Sequence, residues 1–264
     1  DLCTARVAIS HGADAVYIGA PRFGARAAAG VSLEDIRTLT EEAHRFGVRI
    51  YVTCNTIIYD EELAEVEAMI WDLWRAGVDA LIIQDMGITR MKLPPIPLHS
   101  STQCDTLEPS DVQHLEALGF EQVVLARELN MDQVAAIHRA IIEEPILGPG
   151  GEPIRIEMFA HGALCMAVSG KCYLSLHEQG KSANRGSCSQ ICRRSYEVKD
   201  KETGIELEID NQYIMSPKDL KTIHFLNKML DAGVRVLKIE GRARGPEYVD
   251  TVVRAYREAV DTYC

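Results

Sequence analysis

Four cysteines fall within 28 residues of this sequence, as Cys165-x6-Cys172-x15-Cys188-x3-Cys192. Four thiolates in a loop-rich segment can hold a 4Fe–4S cluster or a tetrahedral zinc ion. Structural zinc usually shows two tight cysteine pairs, and here only Cys188 and Cys192 are close. Spacing alone therefore leaves iron–sulfur, zinc and disulfides open, in that order. In a chain of 264 residues the cluster reads as metal or redox chemistry before a disulfide framework. Gly162, Gly170 and Gly186 flank the thiols and would let the backbone wrap closely around a cofactor. Cys54, at a strand end, and Cys104, in a strand-to-helix loop, read as buried structural thiols. Cys3 and Cys264 lie near the ends and read as incidental.

Other residues near this cluster have chemistry to offer. His161 follows a strand and precedes the first of the four thiols. It would either shuttle protons or bond a loop carbonyl. Glu157 and Glu240 lie on strands, where they would serve as acid–base or substrate-binding groups if they point inward near the top. The alternative is a salt bridge, with Lys238 or Arg242 as the partner. Strand alternation puts Lys238 and Glu240 on one face, with Arg242 in the loop beyond. Asn55, Gln84, Asp85, His99, Ser101 and Gln103 sit at or beyond strand ends, as wall residues of a mouth. Between Lys181 and Lys201 there are six basic and two acidic residues. That patch would contact phosphates, or be a solvated loop that steadies the cluster.

The elements that must position these residues follow a rhythm. A helix ends in glycine, a few residues follow, and a short apolar run appears. It occurs at Gly12 into Ala15–Ile18, Gly47 into Arg49–Val52, Gly77 into Ala80–Ile83, Gly119 into Gln122–Leu125 and Gly233 into Val236–Ile239. Glycine past a helix end adopts the left-handed conformation at little cost. Short apolar runs bounded this way suit buried parallel strands. The first four glycines are spaced by 35, 30 and 42 residues, about one strand–helix unit each. Strands at Leu98–Ser101 and Ile154–Phe159 bring the total to seven. Ser32, Pro109, Ser216–Pro217 and Pro246 mark helix starts. The spacing predicts a (β/α)8 barrel over residues 1–264 whose first strand lies upstream, since the chain opens within a helix. An open doubly wound sheet is disfavoured because no glycine-rich phosphate loop follows a strand. Residues 160–216, with no clear helix, would form a cysteine-rich cluster-binding insertion at the C-terminal face of that single domain.

Composition bounds the partners. Apolar residues make up 47% and charged residues 25%, with a net charge of −11. So acidic a chain does not bind nucleic acid across its whole surface, and any such contact must be local. No run approaches the roughly eighteen apolar residues of a membrane span, and the first residues do not read as a signal peptide. HExxH and G-x-S-x-G are both absent from the sequence.

The stretch from Glu157 through Phe159, His161-Gly162-Ala163-Leu164-Cys165-Met166, Ser169-Gly170 and Cys172 to Leu174-Ser175 resembles the signature of peptidase family U32, the collagenase-like family. Asn184-Arg185-Gly186-x-Cys188-x-x-x-Cys192-Arg193, Met215-Ser216-Pro217-Lys218-Asp219-Leu220 and Lys238-Ile239-Glu240-Gly241-Arg242 are similar to its continuation. So are Gly12-Ala13-Asp14-Ala15-Val16-Tyr17 and His99-Ser100-Ser101-Thr102-Gln103. The resemblance implies a cytoplasmic, oxygen-independent hydroxylation protein that uses prephenate. Its tRNA-hydroxylation branch, acting on a wobble uridine, is the nearest match. A ribosomal RNA cytidine, a ubiquinone precursor, or peptidase activity are the alternatives. It also implies that Cys165, Cys172, Cys188 and Cys192 hold a 4Fe–4S cluster, with zinc as the alternative. Prephenate carries two carboxylates, so Arg242 is the first candidate to bind it, with Arg127 and Arg194 as competitors. Lys238, Gln103 and His99 complete the substrate-binding set, and RNA would lie on the basic patch. The family's first strand and the C-terminal region of longer members lie outside this sequence, and a partner domain or subunit is expected to supply further RNA contacts.

Overall fold

The computed structural model describes residues 2–25, 30–169, 171–207, 214–242 and 244–263. Gly170 and Cys264, named above, lie outside them. Seven parallel strands form one curled sheet in chain order: β1 (Ala15–Gly19), β2 (Arg49–Cys54), β3 (Ala80–Ile83), β4 (Leu98–Ser100), β5 (Phe120–Val124), β6 (Arg155–Gly162) and β10 (Val234–Glu240). A small antiparallel hairpin, β7 (Val198–Lys199) with β8 (Glu206–Leu207), stands apart. A two-residue strand, β9 (Leu220–Lys221), pairs antiparallel to β6.

The helices are α1 (Leu2–Ser10), α2 (Leu33–His44), α3 (Leu63–Arg75), α4 (Pro109–Ala117), α5 (Met131–Glu143), α6 (Leu174–Gln179), α7 (Leu226–Asp231) and α8 (Pro246–Tyr263). Their starts are local chemistry. The Ser32 hydroxyl accepts from the Asp35 amide at α2, and Pro109 opens α4. Each long helix buries one stripe against the sheet: Ile36, Leu39, Thr40 and Ala43 on α2, and Val249, Val252, Val253 and Tyr256 on α8. The five rhythmic glycines all take positive φ, from +70° to +96°.

The expected strand–helix alternation is present. Two local expectations fail. Ser216 and Pro217 do not start a helix: β9 follows them, and the helix begins only at Leu226. A capping pair signals a helix only where an apolar stripe follows it, and here Leu220–Lys221 is instead drawn onto the edge of β6. The segment after β6 is also less irregular than expected, because α6 forms within it and ends on Gly180 at φ +64°.

Among the described residues the hydrogen-bonded path is open between β1 and β10. The sheet curls far enough for α1 to pack on α8, and for the Tyr17 hydroxyl of β1 to reach the Ile239 carbonyl of β10 at 3.4 Å. A closed eight-stranded ring is not seen. The main apolar core lies between the outer face of the sheet and the helices. The inner face is different. Beside Tyr51, Ala80 and Ile82 it carries buried polar residues, namely His99, Gln122, Glu157, Lys238 and Glu240.

Candidate active site

Polar side chains inside a curled sheet must be paired, because burying a lone charge costs several kcal/mol. They are. Glu157 on β6 forms a buried ion pair with Lys238 on β10 and accepts a second hydrogen bond from the Gln122 amide. The Lys238 ammonium also lies 4.5 Å from the Tyr17 ring centre and 5.6 Å from that of Phe159. Two residues further along β10, Glu240 accepts at Oε1 from the Arg242 amide and Nε, at 2.9 and 3.0 Å, and at Oε2 from Arg242 Nη2 at 2.8 Å. The Tyr17 hydroxyl donates to Glu240 Oε2 at 3.3 Å. Both glutamates are thus held in salt bridges with Lys238 and Arg242. The expected shared face of Lys238 and Glu240 is seen in their common contact with Tyr17. Burial, then the Glu240 charge, pushes the Tyr17 phenol above its ordinary range. Burial works against the Arg242 charge, but Glu240 and Tyr17 outweigh it and hold the guanidinium above the ordinary arginine value.

Glu240 and Arg242 open onto a cavity of about 150 Å³ at the C-terminal ends of the strands. Its lining mixes polar groups, among them Asn55, Gln103 and Arg127, with apolar ones such as Phe159 and Met166. All four clustered cysteines line it. They are free thiols, Cys165 and Cys188 exposed, Cys172 and Cys192 partly so. Burial, Cys165, Cys188 and Cys172 push the Cys192 thiol up, with Arg193 opposing. Four thiols on one cavity are nonetheless a donor set that suits a thiolate-bound group. Among the described residues, however, no three His, Cys, Asp or Glu side chains are drawn together closely enough to coordinate one ion.

The opposite wall brings Arg127, Phe159, Asn55, Ser101 and Gln103 to the same cavity. Arg127 lies 5.4 Å from the Phe159 ring centre and donates to Ser169 at 3.4 Å. Asn55 is fixed by its Nδ2 donating to Ser101 Oγ and its Oδ1 accepting from the Ala25 amide. Gln84 and Asp85 line a neighbouring hollow that shares Gln103.

Four expected site residues do not line this cavity: Glu157 and Lys238, which pair with each other, and His99 and His161. His99 is fully buried on the inner face, with its ring edge-on to Tyr51 at 4.7 Å and Nε2 on Glu121 at 3.2 Å. Burial lowers its pKa against the pull of Glu121. It stands beneath the cavity and does not line it. His161 is turned away altogether. Its ring packs on Tyr256 at 5.6 Å and Tyr248 at 5.9 Å, on the α8 side. Burial holds its pKa down, with Asp219 opposing. The cause is a bulge: Lys238 pairs with Phe159 but Ile239 pairs with His161, leaving Ala160 as an extra residue. One extra residue reverses the side-chain alternation, so Phe159 faces in and His161 faces out.

Tyr17 and Phe159 carry the inner face and were not singled out from the sequence. Tyr17 stood in an ordinary β-strand pattern, and its partners lie more than 220 residues away. The basic patch is partly spent. Arg185 is held by Glu62, lies 4.1 Å from the Tyr59 ring centre and donates to the Ile57 carbonyl. Lys199 faces Glu206 at 3.9 Å. Lys181, Arg193, Arg194 and Lys201 have no ion pair among the described residues.

The sequence profile described as peptidase family U32 matches residues 1–264. This chain belongs to peptidase family U32. Three relatives in that family show its range. A Porphyromonas gingivalis protein named collagenase is 55% identical over 97% of this chain and 63% of its own length. An Escherichia coli protein named 23S rRNA 5-hydroxycytidine C2501 synthase is 49% identical over 99% of this chain and 38% of its own length. A Bacillus subtilis protein named tRNA hydroxylation protein P1 is 37% identical over 98% of this chain and 61% of its own length. The chain therefore spans less than two thirds of the length of each of these U32 relatives. No helix among the described residues is long and apolar enough to cross a membrane.

Proposed function

We propose that this chain is the cofactor-binding, (β/α)8-type barrel domain of a U32 protein that hydroxylates an RNA pyrimidine without dioxygen, with prephenate as small-molecule co-substrate. The observation that carries the reading is the convergence of four free cysteines, Arg242 and Arg127 on one small cavity at the strand ends. Cys165, Cys172, Cys188 and Cys192 would hold a 4Fe–4S cluster, with zinc as the alternative occupant. When bound, such a cluster would supply electron transfer or polarise an oxygen-bearing substrate. The chain's own residues do the rest. Arg242 and Arg127 bind carboxylates, Glu240 orients Arg242, and Phe159 provides an apolar wall. Lys181, Arg193, Arg194 and Lys201 supply phosphate contacts beside the cavity mouth.

The RNA named by the higher-identity relative is ribosomal. Identity of 49% to the rRNA hydroxycytidine synthase, against 37% to the tRNA hydroxylation protein, favours a ribosomal cytidine as a second reading beside the tRNA wobble uridine. Peptidase activity has the collagenase-named relative in its favour. Against it, the carboxylate among the described residues lining the cavity, Glu240, is ion-paired to Arg242 rather than poised as base for a serine or water.

The test is iron and acid-labile sulfide per chain on anaerobically purified protein, beside Cys172→Ala. About four of each per chain, lost in the variant, is the expected result for a 4Fe–4S cluster. Zinc, or no metal, overturns the cluster. Nucleoside analysis of tRNA and ribosomal RNA from cells lacking the gene identifies the substrate. Unchanged RNA, together with gelatin cleavage by the purified protein, overturns the hydroxylation reading in favour of the peptidase.

A further inference from the structure

Tyr17 sits where two independent features of the molecule meet. It belongs to β1, one edge of the open sheet, and its hydroxyl reaches the backbone and side chain of β10, the other edge. Its ring faces two cations, 4.5 Å from the Lys238 ammonium and 5.7 Å from the Arg242 guanidinium carbon. Each cation has its own carboxylate, Glu157 for Lys238 and Glu240 for Arg242. The π face of an aromatic ring attracts cations, so the ring favours both.

We propose that Tyr17 is a positioning residue that acts through Glu240 to fix the Arg242 guanidinium as the anion receptor of the cavity. The argument is geometric. Glu240 grips Arg242 at three nitrogens, the backbone amide included, in a fork that sets the plane of the guanidinium. A fork orients its partner only if the carboxylate itself cannot rotate. The Tyr17 hydroxyl supplies that restraint from the facing edge, on Oε2, the oxygen that also holds Nη2. Without it, Glu240 would lose one of the bonds that hold its carboxylate, and the plane of Arg242 would be less sharply set. The phenol is neutral and a permanent donor at any working pH, so the restraint does not titrate. Position of the anion thus depends on the approach of β1 to β10, and a distant edge of the sheet is built into the site.

This rests on the reading of Arg242 as a co-substrate receptor, and the experiment separates the two. Malonate, a bare dicarboxylate, and prephenate are titrated by calorimetry into the full chain. Wild type is compared with Tyr17→Phe, Tyr17→Leu and Arg242→Lys, with melting temperature and iron content measured for each. Tyr17→Phe keeps the ring beside the cations and removes only the hydroxyl. Its expected result is malonate and prephenate affinity reduced about 2- to 10-fold, the range for one ordinary hydrogen bond, because this bond is long at 3.3 Å and acts on the anion through Arg242, with melting temperature and iron content unchanged. Tyr17→Leu loses stability as well. In turnover, Tyr17→Phe raises KM for prephenate more than it lowers kcat.

Wild-type affinity in Tyr17→Phe overturns the proposal. So does a loss of affinity that only tracks a lost melting temperature, which would make Tyr17 merely structural. Absence of binding by wild type, or full binding by Arg242→Lys, removes the receptor and the proposal with it. If binding behaves as expected while no RNA is hydroxylated, the positioning role stands and the functional reading falls.

Discussion

Lys238 shows at the residue scale why a charged side chain inside a sheet is a commitment. Its ammonium is buried, ion-paired to Glu157 and set over two aromatic rings. Removing it leaves Glu157 as a buried carboxylate that, among the described residues, accepts only from the neutral Gln122 amide. Breaking a buried pair from one side costs about 3–5 kcal/mol, whereas removing both charges is often nearly neutral. Lys238→Met is therefore expected to lose about that much stability in urea unfolding. Glu157→Gln combined with Lys238→Met is expected to recover most of the loss. If the single variant unfolds like wild type, the pair is solvated and the inner face is wetter than its burial indicates. The sequence offered Glu157 and Lys238 both as site residues and as a salt bridge, and the structure places them in the salt bridge below the cavity. Tyr17 was invisible for the complementary reason: its chemistry depends on contacts across the whole length of the chain, which no local pattern carries.

The strand β6 shows at the scale of elements how a local register decides what reaches a site. The glycine-to-strand rhythm was legible because helix caps and left-handed glycines are short-range events, each fixed by a few neighbouring residues. The bulge at Ala160 was not, since alternation alone put Glu157, Phe159 and His161 on one face. The strand ends at Gly162, with φ +112°, where an added Cβ would lie 2.5 Å from the Glu240 carbonyl oxygen and 2.9 Å from Glu240 Cβ. Glycine there lets β6 approach the residue that orients Arg242. Gly162→Ala is expected to cost more than about 1 kcal/mol, from backbone strain and a backbone clash together. It is also expected to weaken malonate binding by shifting Glu240. Gly47 provides the contrast: its φ is +70° with nothing within 4 Å of an added Cβ. Gly47→Ala is expected to lower the urea midpoint while malonate affinity stays at the wild-type value. Equal binding by both variants would show that β10 does not depend on the close approach at Gly162.

The charge of −11 sets the terms for nucleic acid at the scale of the whole molecule, because long-range attraction of RNA to most of this surface is ruled out. On the proposed function, RNA contact by this chain would fall to the few cations beside the cavity, and the six basic residues between Lys181 and Lys201 are not equivalent. Arg185 is committed to Glu62 and the Tyr59 ring, whose contacts tie the cysteine segment to the loop after β2. Arg193 and Arg194 adjoin the last of the four cysteines and have no ion pair among the described residues. Composition marked the patch, but ion pairing decides which of its charges are available, and pairing is a tertiary fact. Each phosphate contact on a single strand contributes about −0.7 to the slope of log K against log salt. Replacing Arg193 and Arg194 by alanine is therefore expected to weaken binding of a target-derived RNA hairpin and to flatten that slope by about 1 to 1.5 units. Arg185→Ala is expected to leave the slope unchanged and to lower the melting temperature instead. A filter-binding or anisotropy titration at several salt concentrations separates these outcomes. A slope reduced by Arg185→Ala but untouched by the double variant would move the RNA path away from Cys192 and onto the side of the cysteine segment that faces the loop after β2.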